Sequence, residues 1–599
     1  MSTRLLTIGD WQQAYVGGAA PRELLSALLN DLGSDDPAWI SRADQAFLDR
    51  QLLQLEGRDR KAMPLFGVPF AVKDNIDVAG LPTTAACPAF TFSPDRHATV
   101  VERLMNAGAI VVGKTNLDQF ATGLVGTRSP YGEVPNTFDP AYVSGGSSAG
   151  SASVVARGIV PFALGTDTAG SGRVPAGFNN IVGLKPTPGS VPMQGVLPAC
   201  RSIDVVSIFA LTVADAAEVM AVMEGAADEP SFQSHAPRLA WLGRLGMPLR
   251  VGVPTDSACD VKLGYERAFN AALLRLNERD DTCRTIDFTT MFEVARLLYE
   301  GPWVAERYAV VQSLIESRPE VMDPVVRQVI SAAGKHDAVA AFRARYRLEE
   351  LRQVIEPMWR DIDVLMVPTA PTCLTRAAVR AEPVLRNSEL GKFTNFVNLL
   401  GMAAIAVPAG FTDQGFPFGV TFIAPGGSDA ALANLAARWQ AASDLPLGCK
   451  LGAPPADELA LRRMPIAAPT LSIAVVGAHL AGMPLHGQLV ERGCRLRERT
   501  TTSPDYRLYA LPGTTPPKPG LARVGADGVA IEVEVYEMPA SEVGSFLALI
   551  PPPLGLGTVR LASGASVTGF ICEPAGLAGA RDISAFGGWR AYIASIERK

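Results

Sequence analysis

Ser171 lies in the glycine-rich stretch GTDTAGSGR, which directly follows the apolar run VPFAL. A strand that turns sharply through small residues can direct several backbone N–H groups at one point, and such a set of donors stabilises an oxyanion. A serine at this position is therefore a candidate nucleophile, provided that a neighbouring group accepts its proton. None of the five histidines lies near this serine in the sequence, so we expect the base to be another type of residue.

Lys73 is the first candidate for that base, because it closes the apolar run FGVPFAV. A free lysine has a pKa of about 10.4 and is a poor base at neutral pH, whereas burial at the end of a strand lowers the pKa by disfavouring the ammonium form. A lone lysine in this setting more often reaches solvent or pairs with a carboxylate, which Asp74 or Asp77 could provide.

Ser147 lies in a second notable segment, SGGSSAG (residues 144–150), which opens a predicted helix. Taken alone, this segment is equally typical of a helix N-cap or an anion-binding loop. It also fits the G-x-S-x-G pattern, which would make Ser148 the nucleophile of an α/β-hydrolase. That alternative needs an acid and then a histidine downstream, and neither His235 nor His336 follows an obvious strand.

Together, the three motifs resemble those of the amidase signature family, over roughly residues 60–445. The resemblance implies a Ser-cisSer-Lys triad in which Ser171 is the nucleophile, Ser147 relays the proton and Lys73 is the general base. It also implies an oxyanion hole, whose candidate donors are the backbone N–H groups of Thr168, Ala169, Gly170 and Ser171.

The turn departs from the family pattern at two positions. Ala169 replaces the usual glycine and Gly172 an isoleucine, and neither change removes a reacting atom. Asp167 and Arg173 flank the turn with opposite charges, and we expect them to hold its shape.

The segment LLYEGPWVAERYAVV is the best clue to the substrate. Its Gly-Pro pair predicts a break between two helices, with Tyr299 and Arg307 on either side of it. An arginine in a pocket can bind a planar carboxylate through two hydrogen bonds, and a tyrosine hydroxyl can add a third. The alternative from spacing alone is a surface arginine paired with Glu300 or Glu306.

This segment and DQFATGLVGTRSPYG (residues 118–132) resemble the allophanate hydrolase branch of the family, as do two segments near the C-terminus. The resemblance implies that the substrate is allophanate, whose carboxylate Tyr299 and Arg307 would hold. Gly123, and less so Gly126, would allow close approach of the backbone to a small ligand, although a plain loop bend remains an alternative. A general amidase of another small amide is the competing function.

The resemblance also implies partners and a pathway. The sequence contains no biotin-attachment motif, so the allophanate would come from a separate biotin-dependent urea carboxylase or from biuret or cyanuric acid breakdown. We expect a homodimer that uses no cofactor. Two other functions are less well supported. A tRNA-dependent glutaminyl amidase would need a basic face, which this acidic sequence does not indicate, and a non-catalytic scaffold would not need the three triad residues.

The composition is that of a globular protein. Hydrophobic residues make up 48% of the 599 residues, charged residues 19%, and the net charge of −6 offers no basic surface for nucleic acid. The N-terminal residues lack a signal peptide and no long apolar run follows, which predicts a cytoplasmic protein without membrane spans. The eight cysteines include no Cys-x-x-Cys pair, so we expect neither a metal site nor disulfides.

The elements that must position these residues form an α/β pattern. Helical periodicity over residues 20–57 precedes short apolar runs that alternate with helices, which predicts one large domain over 1–447 with a mixed β-sheet flanked by helices. Residues 448–470 are predicted to be a linker, and 471–599 a small β-rich domain. The VVGAHL segment of that domain resembles the γ-glutamylcyclotransferase-like fold. His479 within it is a candidate for decarboxylating the product, or only a hydrogen-bonding residue of a scaffold.

Overall fold

A computed structural model describes most of the chain, in two compact units, one up to residue 460 and one from residue 470. The described residues are 5–33, 35–225, 249–255, 261, 264–277, 281–449, 451–452, 459–460, 470–492 and 494–597. Most of the predicted linker 448–470 lies outside them, so the domain boundaries at 447 and 471 stay predictions.

The first unit is built on an eleven-stranded mixed sheet, in the order β1-β3-β2-β4-β6-β5-β10-β11-β9-β7-β8. Its strands are β1 (Trp39–Arg42), β2 (Pro69–Lys73), β3 (Ile110–Thr115), β4 (Phe162–Asp167), β5 (Val182–Lys185), β6 (Val205–Ala210), β7 (Arg250–Pro254), β8 (Thr282–Ile286), β9 (Val364–Pro368), β10 (Ala403–Phe411) and β11 (Pro417–Ala424). The predicted mixed sheet flanked by helices is confirmed.

Helices accompany this sheet along the whole unit. They are α1 (Ile8–Val16), α2 (Pro21–Asp31), α3 (Gln45–Leu55), α4 (Thr99–Asn106), α5 (Ala149–Ala156), α6 (Val174–Phe178), α7 (Val213–Met223), α8 (Tyr265–Asn277), α9 (Thr289–Glu300), α10 (Val304–Ser317), α11 (Pro324–Ser331), α12 (Ala338–Ile355), α13 (Arg376–Ala381), α14 (Pro383–Leu390), α15 (Asn395–Leu399) and α16 (Asp429–Ala441).

The N-terminal region differs from the helical prediction over 20–57. Helices α2 and α3 lie within it, but the strand β1 separates them and pairs antiparallel with β3, Trp39 opposite Thr115. The partner of this short strand lies far away in sequence, so local periodicity could not reveal it. Helix α1 precedes the predicted region and starts at a capping box formed by Thr7 and Asp10.

Three parallel strands position the candidate catalytic residues. Strand β2 lies between β3 and β4 and runs parallel to both, and every residue of β2 and β4 is buried. Because the carboxyl ends of parallel strands meet at one edge of a sheet, Lys73 at the end of β2 and the turn after β4 come together. Continuous burial also explains why both strands read as apolar runs rather than as alternating patterns.

The second unit is β-rich, as predicted. A five-stranded sheet has the order β13-β16-β12-β18-β17, and a three-stranded sheet the order β15-β14-β19. The strands are β12 (Thr470–Val475), β13 (Arg495–Thr501), β14 (Tyr506–Ala510), β15 (Pro519–Arg523), β16 (Glu532–Pro539), β17 (Leu554–Arg560), β18 (Ser566–Cys572) and β19 (Arg581–Asp582). The helices are α17 (Gly487–Glu491), α18 (Val543–Leu547), α19 (Pro574–Leu577) and α20 (Trp589–Glu597). The resemblance of this unit to the γ-glutamylcyclotransferase-like fold stays a prediction.

No helix in the described part of the chain is both long enough and apolar enough to cross a membrane.

Candidate active site

Lys73 contacts two hydroxyl groups at the end of β2. Its Nζ lies 2.8 Å from Ser147 Oγ and 2.8 Å from Thr166 Oγ1, and all three side chains are buried. The peptide bond between Gly146 and Ser147 is cis. Lys73 therefore reaches the serine of the GGSS bend directly, and does not extend to solvent.

Burial changes the protonation of this lysine. It lowers the pKa of the Lys73 amine from 10.5 to about 7, against the carboxylates of Asp118, Asp204 and Asp167, which raise it. An amine with a pKa near 7 is half neutral at pH 7, whereas a free lysine is neutral in roughly one molecule in 2,500. The site therefore supplies a base at neutral pH.

Ser171 is 3% exposed and lies in a turn built around the Asp167 carboxylate. Asp167 Oδ1 accepts from the Gly170 N–H at 3.0 Å, and Oδ2 accepts from the Gly172 N–H at 2.9 Å. Both oxygens also accept from the Arg173 guanidinium at 2.9 Å. The opposite charges that flank this turn thus form the expected supporting ion pair, and it is fully buried.

One of the four predicted oxyanion donors, the N–H of Gly170, is wrong. The Gly170 N–H is already donated to Asp167, so Gly170 serves to form the turn. Its φ is +131°, and a Cβ there would lie 2.4 Å from Thr394 Oγ1. In the described part of the chain, the N–H groups of Ala169 and Ser171 have no acceptor. Their contact with an oxyanion, and that of the Thr168 N–H, stays a prediction.

Ser148, the nucleophile of the alternative α/β-hydrolase interpretation, has a structural role instead. Its Oγ donates to the Thr166 carbonyl at 3.2 Å and so ties the start of α5 to β4. Of the two adjacent serines, Ser147 is the one whose hydroxyl contacts Lys73. The arrangement therefore favours the triad over the nucleophile elbow.

Arg307 is buried against Tyr299 at the predicted helix break. Helix α9 ends at Glu300 and α10 begins at Val304, and the Arg307 Cζ lies 5.6 Å from the centroid of the Tyr299 ring. The arginine side chain is 3% exposed. Burial raises the pKa of Tyr299, so its hydroxyl stays protonated and can donate.

The surface ion pair considered for Arg307 is wrong. Glu306 accepts instead from the Ser202 backbone N–H at 2.8 Å and from the Ser202 hydroxyl. Arg307 Nη1 donates to the Ala121 carbonyl at 3.3 Å and to Thr122 Oγ1 at 3.1 Å. Its Nη2 is buried and has no hydrogen-bond partner among the described residues. A buried donor without a partner is uncommon, and here it leaves one edge of a cation available for a ligand.

Packing explains both glycines proposed to approach the substrate. A Cβ at Gly123 would lie 2.5 Å from Asp118 Oδ2. Gly126 has a φ of +75°, and its Cβ would lie 2.6 Å from that of Ala149. Glycine is thus needed at both positions without a ligand, and contact of Gly123 with substrate stays a prediction.

Two buried carboxylates of the site were missed by sequence reasoning. Asp118 accepts from the backbone N–H groups of residues 125, 126 and 128, and its own N–H donates to the Ser147 carbonyl at 3.1 Å. Asp204 accepts from Thr168 Oγ1 at 2.5 Å and from the N–H groups of residues 199 and 200. Asp118 follows β3 at the catalytic edge of the sheet, and that position was the available signal. Asp204 had none, because it precedes β6, which runs in the opposite direction.

His479 lies just after β12 in the second unit. Its ring stacks on Phe570 with centroids 5.1 Å apart, and its Nε2 lies 2.9 Å from Gln488 Oε1. Burial lowers the pKa of this histidine. The ring also lines a small pocket together with Lys518 and Pro519, and a role of His479 in decarboxylation stays a prediction.

The fold and the lysine–serine arrangement define a class of protein, and comparison with known families agrees. The chain belongs to the amidase family, whose profile matches residues 39–433. A second profile, that of the allophanate hydrolase C-terminal domain, matches residues 471–594.

The chain is also similar to particular proteins. It is 45% identical to urea amidolyase of Saccharomyces cerevisiae, over 99% of this chain and 33% of that protein. The chain thus spans about a third of the length of the curated relatives that it matches at this level. The structure of Kluyveromyces lactis allophanate hydrolase is 43% identical, with a TM-score of 0.77, and the match covers 99% of this chain and 100% of that one. The structure of urea amidolyase from the same yeast is also 43% identical, with a TM-score of 0.77, and the match covers 99% of this chain and 37% of that one.

Proposed function

We propose that this chain hydrolyses allophanate, with Ser171 as the nucleophile. The observation that carries the proposal is the buried Arg307, whose Nη2 has no partner among the described residues and whose charge acts on Lys73 across the same site. A buried cation whose charge acts on the general base suits a substrate with a carboxylate at one end and an amide at the other. The similarity to allophanate hydrolase of K. lactis and to urea amidolyase of S. cerevisiae supports the same substrate.

The chemistry begins with proton transfer through the triad. Neutral Lys73 takes a proton from Ser147, and Ser147 takes one from Ser171 as its oxygen attacks the terminal amide carbon. The N–H groups of Ala169 and Ser171 stabilise the oxyanion. Collapse of the tetrahedral intermediate breaks the C–N bond, the amine leaves as ammonia with a proton returned from Lys73, and an acyl-enzyme remains.

The second half of the reaction releases the product. Water attacks the acyl-enzyme and frees an N-carboxylated carbamate, which decomposes to carbon dioxide and a second ammonia. His479 is the candidate residue for assisting the decarboxylation, since its pocket also contains Lys518, a cation that suits a carboxylate. A scaffold role for His479, through its hydrogen bond to Gln488, is the alternative.

The substrate anchor needs two residues in the amidase unit. Arg307 would pair with the carboxylate through Nη2, and the Tyr299 hydroxyl would add a hydrogen bond. Gly123 remains a proposed contact of the ligand.

We further propose a homodimer, located in the cytoplasm. Helix α12 supports self-association, because a stripe of large apolar side chains on it is exposed: Val339, Phe342, Tyr346 and Val354. The source of allophanate remains a separate biotin-dependent urea carboxylase, or biuret or cyanuric acid breakdown. The urea amidolyase relatives support a link to a second activity, since two thirds of their length lies outside the match to this chain.

Ammonia release from a panel of substrates tests the function. We expect turnover of allophanate and of malonamate, which share a carboxylate, and little turnover of urea or of an uncharged amide. The Ser171→Ala variant should fold and release no ammonia above background. Equal turnover of charged and uncharged amides would instead support a general amidase, and activity of Ser171→Ala would contradict the mechanism.

A further inference from the structure

Arg307, the proposed anchor of the substrate carboxylate, is held by the turn formed by residues 119–122. The proposed mechanism does not otherwise use this turn. We propose that Thr122 in this turn is a positioning residue that fixes the orientation of the Arg307 guanidinium, and thereby sets the preference for an anionic amide over a neutral one of the same shape. This inference rests on the proposed function, because it concerns how the proposed anchor is oriented.

The contacts of Arg307 show how its orientation is fixed. Both acceptors of Nη1 belong to consecutive residues of the turn, the Ala121 carbonyl at 3.3 Å and Thr122 Oγ1 at 3.1 Å. A guanidinium group is planar, so two bonds at Nη1 also determine where Nη2 points. Since Nη2 is the nitrogen without a partner among the described residues, the turn decides which direction the free N–H groups face.

The Thr122 hydroxyl both donates and accepts a hydrogen bond. The Oγ1 donates its proton to the Phe120 carbonyl at 3.1 Å, so a lone pair must face Arg307 Nη1. The Thr122 carbonyl accepts from Arg128 Nη1 at 2.9 Å, which holds the main chain of the turn. Thr122 is 1% exposed, so water cannot replace its hydroxyl without a rearrangement.

The backbone of the turn adopts an unusual conformation. Phe120 and Ala121 have φ values of +51° and +52°, in the left-handed region that residues other than glycine rarely adopt. Such conformations persist only where the surroundings enforce them, and they cluster at functional sites. Here they place the Ala121 carbonyl within reach of Arg307.

A second left-handed turn enforces this conformation. Ala85 and Ala86 have φ values of +49° and +58°. The Ala85 carbonyl accepts from the Phe120 N–H at 3.0 Å, and the Ala86 carbonyl accepts from Gln119 Nε2 at 3.0 Å. Gln119 Oε1 in turn accepts from the Asp323 N–H, next to α11. The turn is therefore rigid enough to orient a side chain bonded to it.

The test compares allophanate with biuret, in which a neutral carboxamide replaces the carboxylate. We expect Thr122→Val to raise the KM for allophanate about tenfold, the effect of losing one hydrogen bond to a charged group, with kcat changed less than about twofold. The kcat/KM for biuret, or its inhibition constant where turnover is slow, should change less than about twofold. Thr122→Ser keeps the hydroxyl and should retain the preference of the wild type.

Thr421→Val is the matched control. Thr421 is a buried threonine of β11 whose hydroxyl pairs with Thr369 Oγ1 at 2.9 Å rather than with Arg307, so its loss should leave the preference unchanged. If Thr122→Val does not fold, Thr122→Ala removes the same hydroxyl with a smaller side chain and carries the same expectation.

Arg307→Ala separates failure of this inference from failure of the proposed function. If Arg307→Ala abolishes the preference for allophanate but Thr122→Val and Thr122→Ala both leave it intact, the positioning role is overturned and the anchor stands. If Arg307→Ala leaves the preference intact, the anchor itself is wrong. A loss of preference in Thr122→Val that Thr122→Ser does not show supports the inference.

Discussion

Lys73 Nζ lies 2.8 Å from Ser147 Oγ and equally close to Thr166 Oγ1, so two hydroxyl groups orient one buried amine. Only Ser147 lies on the proposed proton route. Thr166, next to the end of β4, holds the amine from the other side.

Replacing Thr166 with valine should therefore disturb the base without removing it. We expect kcat to fall about tenfold to a hundredfold, the range of a misplaced general base, while the KM for allophanate changes little. Steady-state kinetics of Thr166→Val and Thr166→Ser measure this, with the serine variant close to wild type. Unchanged kcat in Thr166→Val would mean that Ser147 alone orients the lysine.

The pH dependence of the reaction should report the lowered pKa of Lys73. The protonated amine cannot accept a proton, so kcat/KM should rise with pH, reach half of its maximum near pH 7 and then level off. A pH profile of ammonia release from malonamate between about pH 5.5 and 9 measures this. A rise centred near the pKa of a free lysine would contradict burial as the source of the base.

Asp204→Asn should move that rise to lower pH. The Asp204 carboxylate raises the pKa of Lys73, so its neutral replacement should lower that pKa. An asparagine can still accept from the N–H groups of residues 199 and 200 and donate to Thr168, so the variant should fold.

Asp429→Asn is the control for this variant. Asp429 is also a buried carboxylate that accepts from a threonine hydroxyl and an N–H, both of Thr187, but the lysine whose charge acts on it is Lys185 and not Lys73. We expect its pH profile to match that of the wild type. If the rise in kcat/KM moved to higher pH in Asp204→Asn, the result would contradict the conclusion that the Asp204 carboxylate raises the pKa of Lys73.

The ion pair between Asp167 and Arg173 should be essential for folding stability. Both side chains are fully buried, and removal of one partner leaves an unpaired charge in the interior. We expect Arg173→Met to lower the free energy of unfolding by about 3–5 kcal/mol and to abolish activity. Arg267→Ala breaks an exposed pair with Asp413 and should cost about 1 kcal/mol or less. Denaturant unfolding monitored by circular dichroism compares the two, and similar losses would contradict the assignment.

The stripe on α12 predicts which substitutions weaken self-association. Tyr346 is 64% exposed and Phe342 is 55% exposed, and their rings lie 6.4 Å apart. If this stripe forms the proposed dimer contact, a charge at residue 346 would be buried there. Tyr346→Glu should therefore raise the dimer dissociation constant at least about tenfold. Leu274→Glu changes an exposed apolar residue on α8 and serves as the control. Sedimentation at several concentrations distinguishes them, and a wild type that is monomeric throughout would remove the proposed dimer.

The sequence by itself determined the candidate chemistry. Each of the three catalytic motifs occupies a short window, and local features such as an apolar strand, a glycine turn and a Gly-Pro helix break can be read without long-range information. The resemblance that these motifs carry identified the family, and the alternation of strands and helices predicted the mixed sheet.

Only the tertiary structure decided how the individual groups are used. The Gly170 N–H proved to be donated to Asp167, and Arg307 proved to be buried rather than paired with Glu306. Asp118 and Asp204 reach the site from the flanks of two other strands. The physical reason is that burial and hydrogen-bond partners depend on which strands are neighbours in the sheet. That order is set by contacts between residues far apart in the chain, and no local window contains them.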